Sequence, residues 1–379
     1  ILVINSTPTA ATTVLVPIAP AGSNSFNILH NNTTDNGNYG IVLSGYAAST
    51  PFTAADFGNQ VLSNVISNFG GGTGSTNPSA GIRANNQWGI VIDNNTINNN
   101  TGTGVNHPST LRGIFAQAGT SANVTITNNT VTVQSGATSS ELHGINNGIG
   151  STAASNTVTI SGNTIRNCTY SGATTGVFYG IYNTASAANI NINNNTVRDN
   201  TIGGTGIFHG IYDNSGATTC TVRIFENNVH NNTKNTPGTS STSMYGIRIG
   251  TALVHVFDNQ VYTNVLNTAG GSSSATVYGI GDGSSPTTEN YYRNNVYDLS
   301  ITGTNSSTGS TIYGIYTNSV TGSVKGIYLN TVTGINLNST GGGTVYGIYT
   351  VTGTTVGVYR NKVCDLTSSG ASGATQGIY

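Results

Sequence analysis

Glu226 and Asp258 occupy the same place in two consecutive units of a repeated pattern, and Arg293 occupies it in the next. Two carboxyls held about 5 to 10 Å apart are what glycoside hydrolysis requires, one as acid and one as base or nucleophile. Elimination chemistry on an acidic polysaccharide needs acids beside an Arg or Lys. Glu226 and Asp258 with Arg293 form the one acid pair with a basic neighbour. Four residues further on, only Asp298 and Asp365 of the trio with Asp199 come near each other, two units apart. The competing reading is plainer and preferred: outward charges in a repeat array are mostly solvated turn residues. His143 and His209 share one slot with Tyr179 between them, which suits ring stacking better than metal ligation. The glycine-rich nonapeptide of calcium-binding rolls is missing, so no metal or cofactor is expected.

What must position these residues is a repeat. Tyr-Gly-Ile-Tyr stands at 179–182, 313–316 and 346–349, with variants at 245–248 and 278–281. Degenerate copies carry Gly40, Gly81, Gly113, Gly144, Gly210 and Gly377, and from Gly81 the spacing is about 30 to 36 residues. A second marker, Asn-x-Val or Asn-x-Ile, begins at Asn59, Asn95, Asn129, Asn163, Asn195, Asn227, Asn259, Asn294, Asn330 and Asn361, in phase with the first. Between them lie alternating strands such as Ile190-Asn191-Ile192 and Val222-Arg223-Ile224, whose period of two marks one inward face. A loop rich in Ser, Gly, Thr and Ala completes the unit.

Three short strands and a variable loop in about 33 residues describe a coil of a parallel β-helix. Propeller blades need four antiparallel strands in longer repeats, and the period of two excludes helical repeats. The expectation is an all-β chain of about ten coils over residues 36–379, preceded by a cap or other segment over 1–35. Asn at the coil corner tolerates left-handed geometry and caps its own backbone. Stacked coil on coil, its amide would bond the next Asn, forming a ladder. The inward residue is Ile, the first Tyr is expected near a corner, and the second Tyr faces out. Tyr182 with Tyr212, and Tyr316 with Tyr349, should then stack one coil apart. Such columns either stabilise the strands or contact a carbohydrate or protein partner.

Composition narrows the rest. Charged residues make up 6% of the 379 and the net charge is -1. No basic stripe is present, so nucleic acid is not an expected partner. No apolar run nears the roughly 20 residues that span a bilayer, so membrane insertion is not expected. Abundant Val, Ile and Thr with 19 Tyr favour strands over disorder. The three cysteines, Cys168, Cys220 and Cys364, fall at different places in the repeat and are expected to be small buried or half-buried thiols.

The Val-x-Ile … Asn-x-Val units and the Tyr-Gly-Ile-Tyr strand resemble the right-handed parallel β-helix repeats of large secreted bacterial surface proteins. The flavour is that of Bacteroidetes-type substrates of type IX secretion. The resemblance implies an extracellular or cell-surface structural or adhesive solenoid: a shaft, or a filament or sheath component. Partners would be carbohydrate or other surface-protein subunits. β-Helix polysaccharide lyases and glycoside hydrolases are the alternative, and phage-tail solenoids a further one. Polygalacturonase signature residues are missing, since Asn-Thr is followed by Ile or Val where that family has Asp. Gln376-Gly377-Ile378-Tyr379 reads as the first strand of another coil, so continuation or self-association through that edge is also expected.

Overall fold

The computed structural model describes residues 1–4, 24–71, 77–151, 155–170, 175–216, 219–237, 240–250, 253–283, 286–318, 323–351 and 353–379. The chain is a parallel β-solenoid of about ten coils. One coil shows the plan. Phe178–Asn183 lies in sheet A, Asn189–Asn193 in sheet B, Thr196–Arg198 in sheet C and Thr201–Gly203 in a fourth sheet, D. Each strand pairs in parallel with its counterpart one coil on. Among the described residues the sheets hold 12, 11, 11 and 8 strands, and a two-stranded piece joins Asp56–Phe57 to Gln87–Trp88.

Sheet D corrects the expectation of three strands. Its members, such as Thr201–Gly203 and Thr233–Thr236, read as loop because they carry Thr, Asn and Gly with little apolar alternation. Pairing with stacked neighbours makes them strands. The described residues among the first 35 also contribute to the coils. Leu2–Ile4 pairs with Ile41–Ser44, Ile28–His30 with Gln60–Leu62, and Thr33–Asp35 with Val65–Ser67. The apolar stretch Val14–Ile18 and its neighbouring prolines lie outside the described residues.

The core fills the inside of the coil. Strand Asn189–Asn193 alternates half-buried and buried positions, and Ile192 and Ile224 are fully enclosed. The glycine of the Tyr-Gly-Ile strand has a definite cause. A Cβ on Gly180 would lie 2.4 Å from the Gly210 carbonyl oxygen and 2.8 Å from Val197 Cγ1. The same squeeze sets Gly113 against Val131, Gly246 against Val261 and Gly314 against Val332. The glycine therefore touches the valine of Asn-x-Val across the interior. The two sequence markers share a period because they are one contact.

The same step explains the two tyrosines. Gly180 and Ile181 are successive buried residues, which breaks the simple alternation of a strand. Tyr179 and Tyr182 consequently share the outer face, their rings stacked with centroids 4.4 Å apart. The first Tyr is not a corner residue, as expected, but half of a double column.

Candidate functional site

The corner between sheets B and C carries the candidate acids, and its backbone explains their position. The residue just before each ladder asparagine is left-handed: Asn94, Asn128 and Asn194, but also Glu226 (φ 55°), Asp258 (φ 56°), Arg293 (φ 55°) and Arg360. Asn and Gly enter this region most easily. Glu226, Asp258, Arg293 and Arg360 mark the coils where a charged residue holds the turn instead. The next corner repeats the device with Asn167, Asp199, Asn231, Asp298 and Asp365.

Side-chain geometry sets these residues to surface use. Arg293 Nε and Nη2 donate to Asp258 Oδ1 and Oδ2 at 2.8 and 2.6 Å, a bidentate fork. The Arg293 guanidinium also covers the Tyr292 ring, with Cζ 4.8 Å from its centre. Glu226 is exposed on the same convex corner, one coil away. None of the three lines either described cavity. An acid–base pair works best in a shielded site that separates the two protonation states, and this corner is open to solvent. No group of three or more metal-ligating side chains occurs among the described residues.

Behind the corner runs the asparagine ladder. Asn195 donates from both its backbone N and Nδ2 to Asn227 Oδ1, each at 3.0 Å, and from Nδ2 to the Ile160 carbonyl at 2.8 Å. The pattern continues through Asn95, Asn129, Asn163, Asn227, Asn259, Asn294, Asn330 and Asn361. These amides satisfy backbone groups that the turn leaves without strand partners. Asn59 is a correction. It bonds Asn27 and Gln87 in a separate column, and the ladder position in its coil belongs to Asn64, with Asn32 before it. Asn59-x-Val61 imitates the motif one strand early: Val61 lies in sheet B, whereas Asn64 precedes a sheet C strand.

A second ladder at the C–D corner joins Asn200, Asn232 and Asn264. Its sequence signal was a second Asn five residues after the first. Cys168 takes the slot at its head. Its backbone N donates to Asn200 Oδ1 at 2.9 Å, while its sulfur accepts from Val133 N at 3.5 Å. Burial pushes this thiol up to about 12, so it stays a neutral packing group. Cys220 is buried and Cys364 is half-buried, as expected.

The aromatic residues form more columns than the sequence suggested. His143, Tyr179 and His209 stack at 4.7 and 5.0 Å, and Tyr245, Tyr278, Tyr313 and Tyr346 continue the line at 4.3 to 5.3 Å. Beside it, Tyr182 meets Tyr212 at 5.3 Å and Tyr316 meets Tyr349 at 5.4 Å. Arg248 and Gly281 stand between those pairs, so the outer column is split into two segments. Sheet B carries Phe225, Phe257, Tyr292, Tyr328 and Tyr359, spaced 4.9 to 5.1 Å with planes within 2°. Sheet C carries His230, Tyr262 and Tyr297 at 4.6 Å. Both went unnoticed in the sequence, although each recurs with the period of the repeat.

Parallel rings at these separations overlap face to face; coplanar rings so close would clash. Their faces therefore meet neighbouring rings, and edges and hydroxyls meet water. A sugar stacks on an open aromatic face, which the interior of a column does not present. Tyr212 is only 8% exposed. Burial pushes the Tyr316 hydroxyl up to about 12, so it remains a neutral donor and acceptor. No family model matches the chain, and neither a curated protein nor a solved structure matches it.

Proposed function

We propose that this chain is a non-enzymatic β-solenoid, the shaft or binding face of an extracellular surface, filament or sheath protein. The observation that supports it best is the division of labour among the repeated residues. Glycine, valine and isoleucine pack the inside, asparagines hold two corners, and aromatic columns bind coil to coil outside. The outward acids serve left-handed turns and two surface ion pairs. Such a design favours a stiff rod whose length grows with coil number. The resemblance of the repeats to those of Bacteroidetes-type secreted surface proteins supports an extracellular location in this reading. Partners would be other subunits or glycans, met through ring edges, hydroxyls and loops rather than through ring faces.

A panel of neutral and acidic polysaccharides incubated with the purified chain tests the catalytic alternative. The expected outcome is no new reducing ends and no unsaturated products. Turnover abolished by Glu226→Gln or Asp258→Asn would overturn the proposal. Labelling of intact cells of the producing organism with an antibody to the chain tests location, and signal only after lysis would refute the surface assignment.

A further inference from the structure

Near the amino-terminal end of sheet A the aromatic columns give way to two arginines on neighbouring strands. Arg83 sits opposite Phe115, and Arg112 opposite Ala80. The Arg112 Cζ lies 4.0 Å from the Phe115 ring centre, and the Arg83 Cζ lies 5.7 Å from that of Tyr39. With Asn77 and Gln117, these side chains line one cavity of about 520 Å³. Small Ala80, where later coils carry His or Tyr, helps to keep this part of the outer face hollow.

The charges in this cavity are only partly compensated: Glu141 acts on the Arg112 charge from beyond ion-pair distance. Neither arginine takes part in any ion pair among the described residues, and the Nε of each is buried without a hydrogen-bond partner. Arg198 and Arg293, by contrast, each hold a carboxylate. The acid on the neighbouring strand approach, Glu141, instead accepts from His143 Nε2 at 3.0 Å. Two half-buried guanidiniums facing one hollow repel each other, and each presents a planar fork of donors suited to a carboxylate or a sulfate.

We propose that this cavity binds the anionic residue of an acidic glycan, a carboxylate or sulfate borne on a single sugar ring. The two forks would take the anion, the amides of Asn77 and Gln117 the ring hydroxyls, and Tyr39 and Phe115 the apolar edge. A bare anion would need far less room, while small-ligand sites commonly run from roughly 300 to 1,000 Å³. The inference goes beyond the rod reading, because a shaft needs no ligand.

Calorimetric titration of the folded chain at low ionic strength tests it, with glucuronate, glucosamine 6-sulfate, inorganic sulfate and glucose as probes. The expected result is saturable binding of one or both sugar anions, weakened by added salt. Which of the two binds tells carboxylate from sulfate. Arg83→Gln and Arg112→Gln should each weaken it about tenfold or more, and the corresponding Lys variants should recover only part. Circular dichroism checks folding, and the wild-type comparison of sugar anion with glucose decides even if a variant does not fold. Four outcomes overturn the proposal. They are no binding of either sugar anion, equal binding of glucose, equal binding of inorganic sulfate, and affinity unchanged in folded Gln variants.

Discussion

Gly180→Ala should break the rod in its middle, and the size of the effect follows from two distances. The added methyl would lie 2.4 Å from the Gly210 carbonyl oxygen and 2.8 Å from Val197 Cγ1. Ordinary contact is about 1 Å longer than the first of these, and strands spaced about 4.8 Å apart cannot open by that much and keep their hydrogen bonds. Overpacking costs about 1 to 3 kcal/mol, and two weakened backbone bonds add roughly 0.5 to 1.5 kcal/mol each. The expected loss is about 2 to 6 kcal/mol. Gly216→Ala is the control, because no atom lies within 4 Å of its Cβ position. There the smaller entropy of the unfolded chain should leave stability equal or raise it by up to about 1 kcal/mol. Val197→Ala in the Gly180→Ala background removes the valine contact but not the carbonyl contact, so it should not rescue. Denaturant unfolding followed by circular dichroism measures the loss. Limited proteolysis shows whether cleavage concentrates near residues 180 and 210, since a repeat array need not open all at once. Stability within about 0.5 kcal/mol of the parent would refute the claim that close approach at Gly180 sets the repeat, and full rescue by Val197→Ala would refute the part assigned to the Gly210 carbonyl.

Three buried polar positions give further expectations. Glu289 and Lys325 are fully enclosed, 3.7 Å apart, in a column whose flanking members are Val254 and Val356. Lys325→Met alone should cost about 3 to 5 kcal/mol, while Glu289→Val with Lys325→Val should restore or exceed parental stability; a double variant no better than the single would refute this. Lys234 is enclosed between Ile202 and Leu266, and burial pushes its ammonium down to about 8. Its folded pKa lies below the unfolded one, so its penalty is full below pH 8 and fades as pH rises towards the ordinary lysine range. Lys234→Met should stabilise by roughly 3 kcal/mol at pH 7, with the gain shrinking above pH 8 in melts across that range. Asp213 accepts from Asn183 Nδ2 at 2.7 Å in a short ladder led by Asn147, and burial pushes its carboxyl up to about 6. Its folded pKa is raised, so its contribution is favourable below about pH 4 and is lost as pH rises through 6. Asp213→Asn should remove that slope and add up to roughly 3 kcal/mol above pH 6; an unchanged pH profile by chemical denaturation would refute it.

How much could be read in advance differs from residue to residue. The solenoid was legible because Gly180 and Val197 each recur with the coil, and alternation at Ile190 and Ile192 marks the inside. The ladder was legible for the same reason, except at Asn59, where a sheet B strand imitates the motif. Sheet D was not legible, since Thr201–Gly203 is a strand only because Thr233–Thr236 lies beside it. The paired acids were visible as a column, but not as turn residues, because their left-handed backbone is set by the corner and not by their own preference.

By itself the sequence determined the period, the inward face and the all-β architecture, because a parallel solenoid repeats the same local contacts along one axis. Only the tertiary structure decided what fills each column between coils. It stacked ring on ring so that the aromatic faces close, and it forked Asp258 onto Arg293. It brought Arg83 and Arg112 to one hollow and enclosed Lys234 and Asp213 in the interior. Those outcomes depend on which side chains meet from coils about 32 residues apart, a relation that no local stretch of chain contains.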